Sequence, residues 1–317
     1  MTTRQRLVCI VGHTASGKSS LAMDLARALP ASILSVDSMQ VYRGFDIGTA
    51  KPSLAEREEV PHLGLDLCGP DQRFSAGQFL RYARTVIAEQ AEEERPVLAV
   101  GGTGLYLRAM LSGLGPEAPA DPEVRAGIQA EEAAAPGAMH RRLQAVDPAA
   151  AARLHPHDLV RCERALEVFQ ITGQTISQWQ DAHRFAESPF ETLLVGLRRS
   201  RVELRARIGA RIDAMLAGGW VEEVERLLGQ GVTEEQTPMK ALGYRDIAAH
   251  LRGELARDVL RDRIERASWR FAKRQTTWFN REPSIQWLDP APDLAERLLP
   301  AIRGFLDGEA YPSLEVL

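Results

Sequence analysis

Residues 6 to 28 read RLVCIVGHTASGKSSLAMDLARA: a short apolar run, a loop, then apolar residues at helical spacing. Gly12, four further residues and then Gly17-Lys18-Ser19 spell the phosphate-binding loop G-x-x-x-x-G-K-[ST]. This loop constrains the fold more than any other stretch. Its glycines turn backbone N–H groups onto phosphate oxygens only if a strand delivers the chain and a helix follows, with the positive end of its dipole on the anion. Gly12, His13, Thr14, Ala15, Ser16, Gly17, Lys18 and Ser19 are therefore the expected diphosphate site. Lys18 supplies a point charge, and the Ser19 hydroxyl is a candidate ligand for Mg²⁺. The motif is shared with ATP-binding enzymes and does not by itself separate a kinase from a hydrolase or a transferase.

The pattern repeats. SILSV (32–36) and PVLAVGG (96–102) are further short apolar runs, and residues 75 to 94 between them carry a helical period. Strands alternating with helices imply parallel strands with crossovers, an α/β layered domain whose ligands sit at the carboxyl ends of the strands. All three runs end there in polar or glycine-rich text: GHTASGKS, DSMQVYRG and GGTGLY. From about 114 the composition changes to a proline-rich stretch and then alanine-rich helices. Asp121-Pro122 and Asp147-Pro148 each look like an N-cap followed by proline at the first helical position, and a helix should run from Asp158 to Gly173. The expected architecture is a P-loop NTPase-like parallel sheet core, residues 1–113 and 193–317, with a helical insertion domain at 114–192. TLLVGLRR (192–199) returns to the sheet. Helices follow near 202–217, 220–229, 244–252 and 258–280, and SIQWLD is a candidate last strand.

The 317 residues are 44% hydrophobic and 26% charged, enough for a substantial core. No run of 18 apolar residues is present and the N-terminus lacks a secretory signal, so we expect a cytoplasmic protein with no membrane contact. Cys9, Cys68 and Cys162 lie far apart without C-x-x-C spacing, which argues against a disulfide framework or a zinc site. The net charge is −4, so any nucleic-acid binding must rest on a local patch.

Asp37 ends the second apolar run. It can organise Mg²⁺ and water, serve as a general base, or simply cap a turn. The third run ends in Gly101-Gly102-Thr103 with no acid, so the second acidic Mg²⁺ position of a P-loop hydrolase is missing there. Its glycines suit the close approach of a substrate or a plain tight turn. In RVELRARIGARIDAM, Leu204, Ile208 and Met215 define an apolar face with Arg211 in its middle, a position that calls for an anion or for a side chain that snorkels to water. Residues 261 to 281 carry seven Lys/Arg against two Asp/Glu. Arg263, Arg266, Arg270, Lys273 and Arg274 form a stripe closed by Trp278 and Phe279, a nucleic-acid footprint or a solvated face. In the insertion, Leu159, Cys162, Leu166 and Phe169 share one face, with Arg161 and Arg164 outward.

Taken together, GHTASGKS, DSMQVYRGFDIGTAKP, VPH, FSAGQF, GGTGLY, DPEVRA, RCERALEV, LGYRD and KRQTTWF, in this order, resemble the tRNA dimethylallyltransferases. The resemblance implies transfer of a dimethylallyl group from dimethylallyl diphosphate to N6 of the adenosine at tRNA position 37, beside the anticodon, with Mg²⁺ as cofactor. It implies that Asp37 accepts the proton of the exocyclic amine and that Thr14 and Arg211 handle the diphosphate and support catalysis. It further implies contacts to the tRNA anticodon stem-loop from Asp37, Ser38, Met39, Gln40, Thr103 and Arg125. The segments Val160 to Arg164 (with Arg161 and Arg164), Ala241 to Asp246 (with Gly243, Tyr244 and Arg245) and Lys273 to Asn280 (with Lys273, Arg274, Gln275 and Trp278) join them. The chain departs from the family pattern at His13, where proline is common, at Leu63, where histidine is frequent, and at Asn280, where arginine is usual. We expect a monomer. The rival readings are a small-molecule or nucleotide kinase, which gives the basic stripe no task, and a non-catalytic RNA-binding module, which makes Asp37 and Arg211 structural.

Overall fold

A computed structural model of the chain describes residues 4–113, 120–182, 188–309 and 314; the proline-rich start of the insertion, 114–119, lies outside the described residues. The chain divides into two compact units, Met1–Leu111 with Pro189–Leu317, and Ser112–Ser188.

The first unit begins β1 (Gln5–Gly12), α1 (Lys18–Ala28), β2 (Ser32–Val36), α2 (Leu54–Glu59), β3 (His62–Leu63), α3 (Ala76–Glu92), β4 (Val97–Gly101) and α4 (Gly104–Ser112). The insertion helices are α5 (Pro122–Ala134), α6 (Ala138–Val146), α7 (Pro148–Arg153), α8 (Leu159–Thr172) and α9 (Ile176–Ala182). The first unit resumes with β5 (Phe190–Leu197), α10 (Arg201–Ala217), α11 (Trp220–Gly229), α12 (Tyr244–Leu251), α13 (Arg257–Phe279), β6 (Ile285–Leu288) and α14 (Leu294–Asp307).

The strands form one parallel sheet in the order β3-β2-β4-β1-β5-β6. This is the P-loop NTPase-like core expected from the loop, and SIQWLD does become its edge strand. The apolar run of β1 is explained by burial on both faces. Leu7, Cys9 and Val11 pack with residues of α3, α4 and α10 to α13, while Val8 and Ile10 pack with α1 and α14. From β1 the chain passes over β4 to reach β2, and after the insertion it returns on the other side of β1. The strand order therefore reverses between β1 and β4, which opens a crevice at their carboxyl ends. Three elements escaped the periodicity: α2, held by a Ser53/Glu56 capping box, β3, which pairs only two residues with β2, and α14, whose Leu298 and Ile302 share a core with Val8 and Ile10.

The insertion has its own core of Ile128, Met139, Leu143, Cys162 and Leu166. Asp121 and Asp147 cap their helices as Asp-Pro predicts, accepting from Glu123 N at 2.8 Å and Ala150 N at 3.0 Å. The expected face of α8 needs one correction. Leu159 is exposed, and the charged Glu167 is fully buried instead. Among the described residues no helix is long and apolar enough to cross a membrane.

Candidate active site

The loop after β1 turns through Ala15, at φ 60°, and Gly17, at φ 108°, before α1 starts at Lys18. Lys18 Nζ folds back to donate to His13 O at 2.7 Å. The backbone carbonyl of residue 13 therefore holds the lysine, and the buried imidazole bonds locally to Thr14 O at 3.1 Å. Burial and the nearby Arg211 pull the Lys18 ammonium down to about 7, against the opposing pull of Asp37. Burial also lowers Arg211, which Asp37 partly restores. These two causes place Lys18, Arg211 and Asp37 in one electrostatic cluster.

Asp37 follows β2 directly. Its Oδ1 accepts from Met39 N at 2.8 Å and Gln40 N at 3.4 Å, so the carboxylate does close a turn. Oδ2 has no hydrogen-bond partner among the described residues. The turn is tied to the end of β4: Ser38 N donates to Thr103 Oγ1 at 3.1 Å, and Thr103 N donates to Val36 O at 3.3 Å.

The buried face of α10 is Leu204, Ile208 and Ile212, with Met215 partly covered. Arg211 borders this stripe and does not sit at its centre. It makes no ion pair with any described residue. Its side chain instead lines a cavity of about 600 Å³ together with Ser19, Met23, Ile47, Ala50 and Met215.

Two arginines that the sequence reading missed grip the loop from outside. Arg199, just past β5, donates from Nε to Ser16 O at 3.0 Å, and Arg207 donates from Nε to Ala15 O at 2.9 Å. Arg207 lies four residues before Arg211, one turn along the same helix, and that spacing was the available signal.

The IPP transferase family model matches residues 40–282. A tRNA dimethylallyltransferase of Syntrophobacter fumaroxidans is 48% identical, over 90% of this chain and 84% of its own. One of Geobacter sulfurreducens is 47% identical, over 90% and 93%. The chain belongs to the tRNA dimethylallyltransferase family. It is a prenyltransferase of that family, and its backbone agrees: the crystal structure of a full-length tRNA isopentenylpyrophosphate transferase from Bacillus halodurans superposes with a TM-score of 0.71 at 34% identity, covering 96% of this chain and 98% of that one.

Several residues that the dimethylallyltransferase resemblance marks as tRNA contacts have their side chains committed inside the protein. Gln275 is buried; its Oε1 accepts from Thr14 N at 2.8 Å and its Nε2 donates to Gly102 O at 2.9 Å. It braces the phosphate loop against the β4 turn. The glycines of GGTG serve the same helix: a Cβ on Gly102 would lie 2.3 Å from Gln275 Nε2, and one on Gly104 2.3 Å from the Trp278 ring. α13 thus fills the close approach that the turn provides. Trp278 is half-buried there, with the Arg108 guanidinium 5.0 Å from its ring centroid. Gln40 accepts from Ser35 Oγ at 2.7 Å and donates to Thr49 O and Ala50 O, both at 3.0 Å. Gly243 and Tyr244 are buried, and the Tyr244 hydroxyl donates to Glu223 Oε1 at 2.7 Å. In that segment Arg245 is exposed, with Nε on Glu234 O at 3.1 Å.

On α13 the stripe is narrower than the sequence suggests. Arg263 pairs with Asp246 at 3.0 Å, and Arg261 with Asp213 and Glu265 at 2.8 and 2.5 Å. Arg266, Arg270, Lys273 and Arg274 are exposed and have no acidic partner among the described residues; Lys273 and Arg274 lie over the rings of Trp269 and Phe271 at 5.4 and 5.6 Å. Asn280 follows them, exposed at the end of the helix.

Within the insertion, Arg125 donates to both Glu167 oxygens at 2.7 and 3.1 Å, and Arg164 donates to the second at 2.5 Å. Burial pushes Glu167 up, but these bonds and one from Asp121 N hold it below the usual carboxylate range. Arg161 differs: its side chain is 73% exposed, beside Asp158 at 3.5 Å.

Proposed function

We propose that this chain transfers the dimethylallyl group of dimethylallyl diphosphate to N6 of the adenosine at position 37 of tRNA, giving N6-(dimethylallyl)adenosine and diphosphate. The observation that carries this reading is the cluster of Lys18, Arg211 and Asp37 at the switch point of the sheet, with no second acid after β4. Among the described residues these two cations have no ion-paired carboxylate, which suits a departing anion, and the carboxylate has an oxygen without a partner, which suits a proton.

The bond between the prenyl C1 and its oxygen breaks, and its electron pair leaves with diphosphate. Loop amides, Lys18, Arg211 and the Thr14 hydroxyl stabilise that charge as it develops. The N6 lone pair forms the new C–N bond, and Asp37 Oδ2 takes the proton that N6 loses. An adenine amine is a weak nucleophile because its lone pair is delocalised, so an easily ionised allylic diphosphate is the matching partner. The adenine must leave its stack to reach Asp37, as in other enzymes that modify a base.

Mg²⁺ fits this donor set. Among the described residues no group of three His, Cys, Asp or Glu could hold a metal. The exposed Ser19 hydroxyl in the first turn of α1 is the protein's candidate ligand, and Mg²⁺ takes its remaining ligands from phosphate oxygens and water. When bound, it supplies neutralising charge to the diphosphate. Ser38, Met39, Thr103, Arg161, Arg245, Lys273, Arg274 and Trp278 remain the proposed tRNA contacts. Gln40, Gly243, Tyr244 and Gln275 act as braces, and Arg125 and Arg164 act within the insertion. We read the enzyme as a cytoplasmic monomer.

The test is incubation of the purified chain with labelled dimethylallyl diphosphate, Mg²⁺ and a tRNA bearing unmodified adenosine at position 37. Label should appear in N6-(dimethylallyl)adenosine. ATP-dependent phosphorylation of a small molecule, with no label in tRNA, would overturn the reading.

A further inference from the structure

The segment Asp46–Lys51 has no strand or helix to hold it, yet Asp46, Ile47, Ala50 and Lys51 all line the cavity that Ser19 and Arg211 also line. It is fixed by side chains from three directions. From the front, the Gln40 amide donates to Thr49 O and Ala50 O. From the loop itself, the fully buried Lys51 ammonium donates to Tyr42 O at 2.5 Å and pairs with Asp46 and Asp66 at 2.8 and 2.6 Å. From the far side of the sequence comes Glu223 of α11, which is 1% exposed. Its Oε2 accepts from Ile47 N at 2.8 Å and Asp46 N at 3.0 Å, and its Oε1 accepts from Tyr244 Oη at 2.7 Å and Gly48 N at 3.4 Å.

Four donors converge on one buried carboxylate, three of them successive backbone amides. Such a nest belongs to an anion, and here the protein supplies the anion itself. The contact is close because residue 48 is glycine: a Cβ there would lie 2.2 Å from Trp220 Nε1 and 2.5 Å from the Tyr244 ring. The Gly243-Tyr244 pair and the Asp46–Gly48 turn are thus two halves of one packed joint, with Glu223 at its centre.

We propose that Glu223, with Tyr244, is a positioning residue for the prenyl-donor pocket: it sets the Asp46–Gly48 backbone so that Ile47 and Ala50 bound the cavity that Ser19 and Arg211 also line. The inference rests on the transferase reading above. It assigns LGY a role on the donor side of the site, not the tRNA side. The carboxylate itself matters, because in Glu223→Gln either orientation of the amide turns an N–H₂ toward donors that already need an acceptor.

Steady-state kinetics of labelled transfer, with each substrate varied in turn, tests this. Glu223→Gln should raise the KM for dimethylallyl diphosphate by about tenfold or more while the KM for tRNA stays within about twofold. Tyr244→Phe, which removes one of the four donors and leaves the carboxylate, should raise the donor KM by about two- to threefold. Glu223→Asp should recover part of the loss. Gln40→Leu loosens the same segment from its other side and should reproduce the selective rise in donor KM; with Tyr244→Phe it decides the matter if Glu223→Gln does not fold. Donor KM values unchanged in the folded variants, or both KM values rising together, would overturn the proposal. A wild-type chain that transfers no label would instead sink the functional reading, so the two failures are distinguishable.

Discussion

Arg211 and Arg125 look alike in the sequence, each an arginine on a helix beside apolar neighbours, yet their surroundings differ in one decisive respect. In the insertion, Arg125 and Arg164 converge on the buried Glu167, and their charge is spent inside the protein. At the end of the parallel sheet, Lys18 and Arg211 meet no carboxylate of the described residues in an ion pair; Asp37 is near enough to be felt but stays unbonded to them. A desolvated cation without a paired acid is costly unless an anion arrives. The first arrangement stabilises a fold, and the second is poised for a ligand.

The contrast is sharpest at Asp37. Asp37→Ala removes the proposed proton acceptor together with the negative charge that acts on Lys18 and Arg211. We expect kcat to fall by about 10²–10⁴-fold, with tRNA binding retained because the exposed cations of α13 are untouched. Near wild-type turnover would return Asp37 to the role of a turn cap. Arg211→Ala should be the next largest, lowering kcat/KM for the donor by roughly 10²–10³-fold, since it removes charge aimed at the leaving diphosphate. A loss confined to the KM for tRNA would show that Arg211 belongs with the RNA-binding cations instead.

The exposed set on α13 forms a middle case, unpaired but solvated. The triple variant Arg270→Ala, Lys273→Ala, Arg274→Ala should raise the KM for tRNA by about tenfold or more and reduce the salt dependence of tRNA binding, since each phosphate contact contributes roughly −0.7 to −0.9 to the slope of log K against log salt. Turnover at saturating tRNA should change by less than about twofold. An unchanged slope would make the stripe a solvated helix face.

These three sets were not equally legible in the sequence. The phosphate loop could be read because its glycines and lysine are contiguous, and its demand for a strand and a helix carried the parallel sheet with it. The return of β5 and the edge strand β6 followed from short apolar runs. Side-chain commitments across long sequence distances could not be read. Nothing in KRQTTWF says that Gln275 is bonded to Thr14 and Gly102, 261 and 173 residues away. Nothing in RCERALEV says that Glu167 is buried while Leu159 is exposed. A helical period locates a face, but which charge is neutralised depends on what another element brings to it. Arg263 illustrates this: it belongs to the basic stripe by spacing and to Asp246 by contact.

The smallest expected effect tests the insertion side of the comparison. Glu167→Gln leaves Arg125 and Arg164 facing a neutral amide and weakens the bond from Asp121 N, which is 2.9 Å from Glu167 Oε1. Both arginine side chains remain about one-third exposed, at 30% and 34%. Water therefore screens them, and the cost should be about 1–2 kcal/mol and not the larger value of a fully buried pair. The sign with pH follows from the lowered carboxyl. The unfolded chain binds that proton more readily than the folded one. The contribution is therefore complete above the ordinary carboxylate range, about pH 4.3, and is lost as pH falls through the depressed folded value. Hydrogen exchange at the Asp121 amide reads this locally. Protection should drop in Glu167→Gln at neutral pH, and the difference from wild type should shrink on acidification. Equal protection in both proteins at neutral pH would mean that Glu167 does not anchor its arginines, and the contrast with Arg211 would lose its structural half.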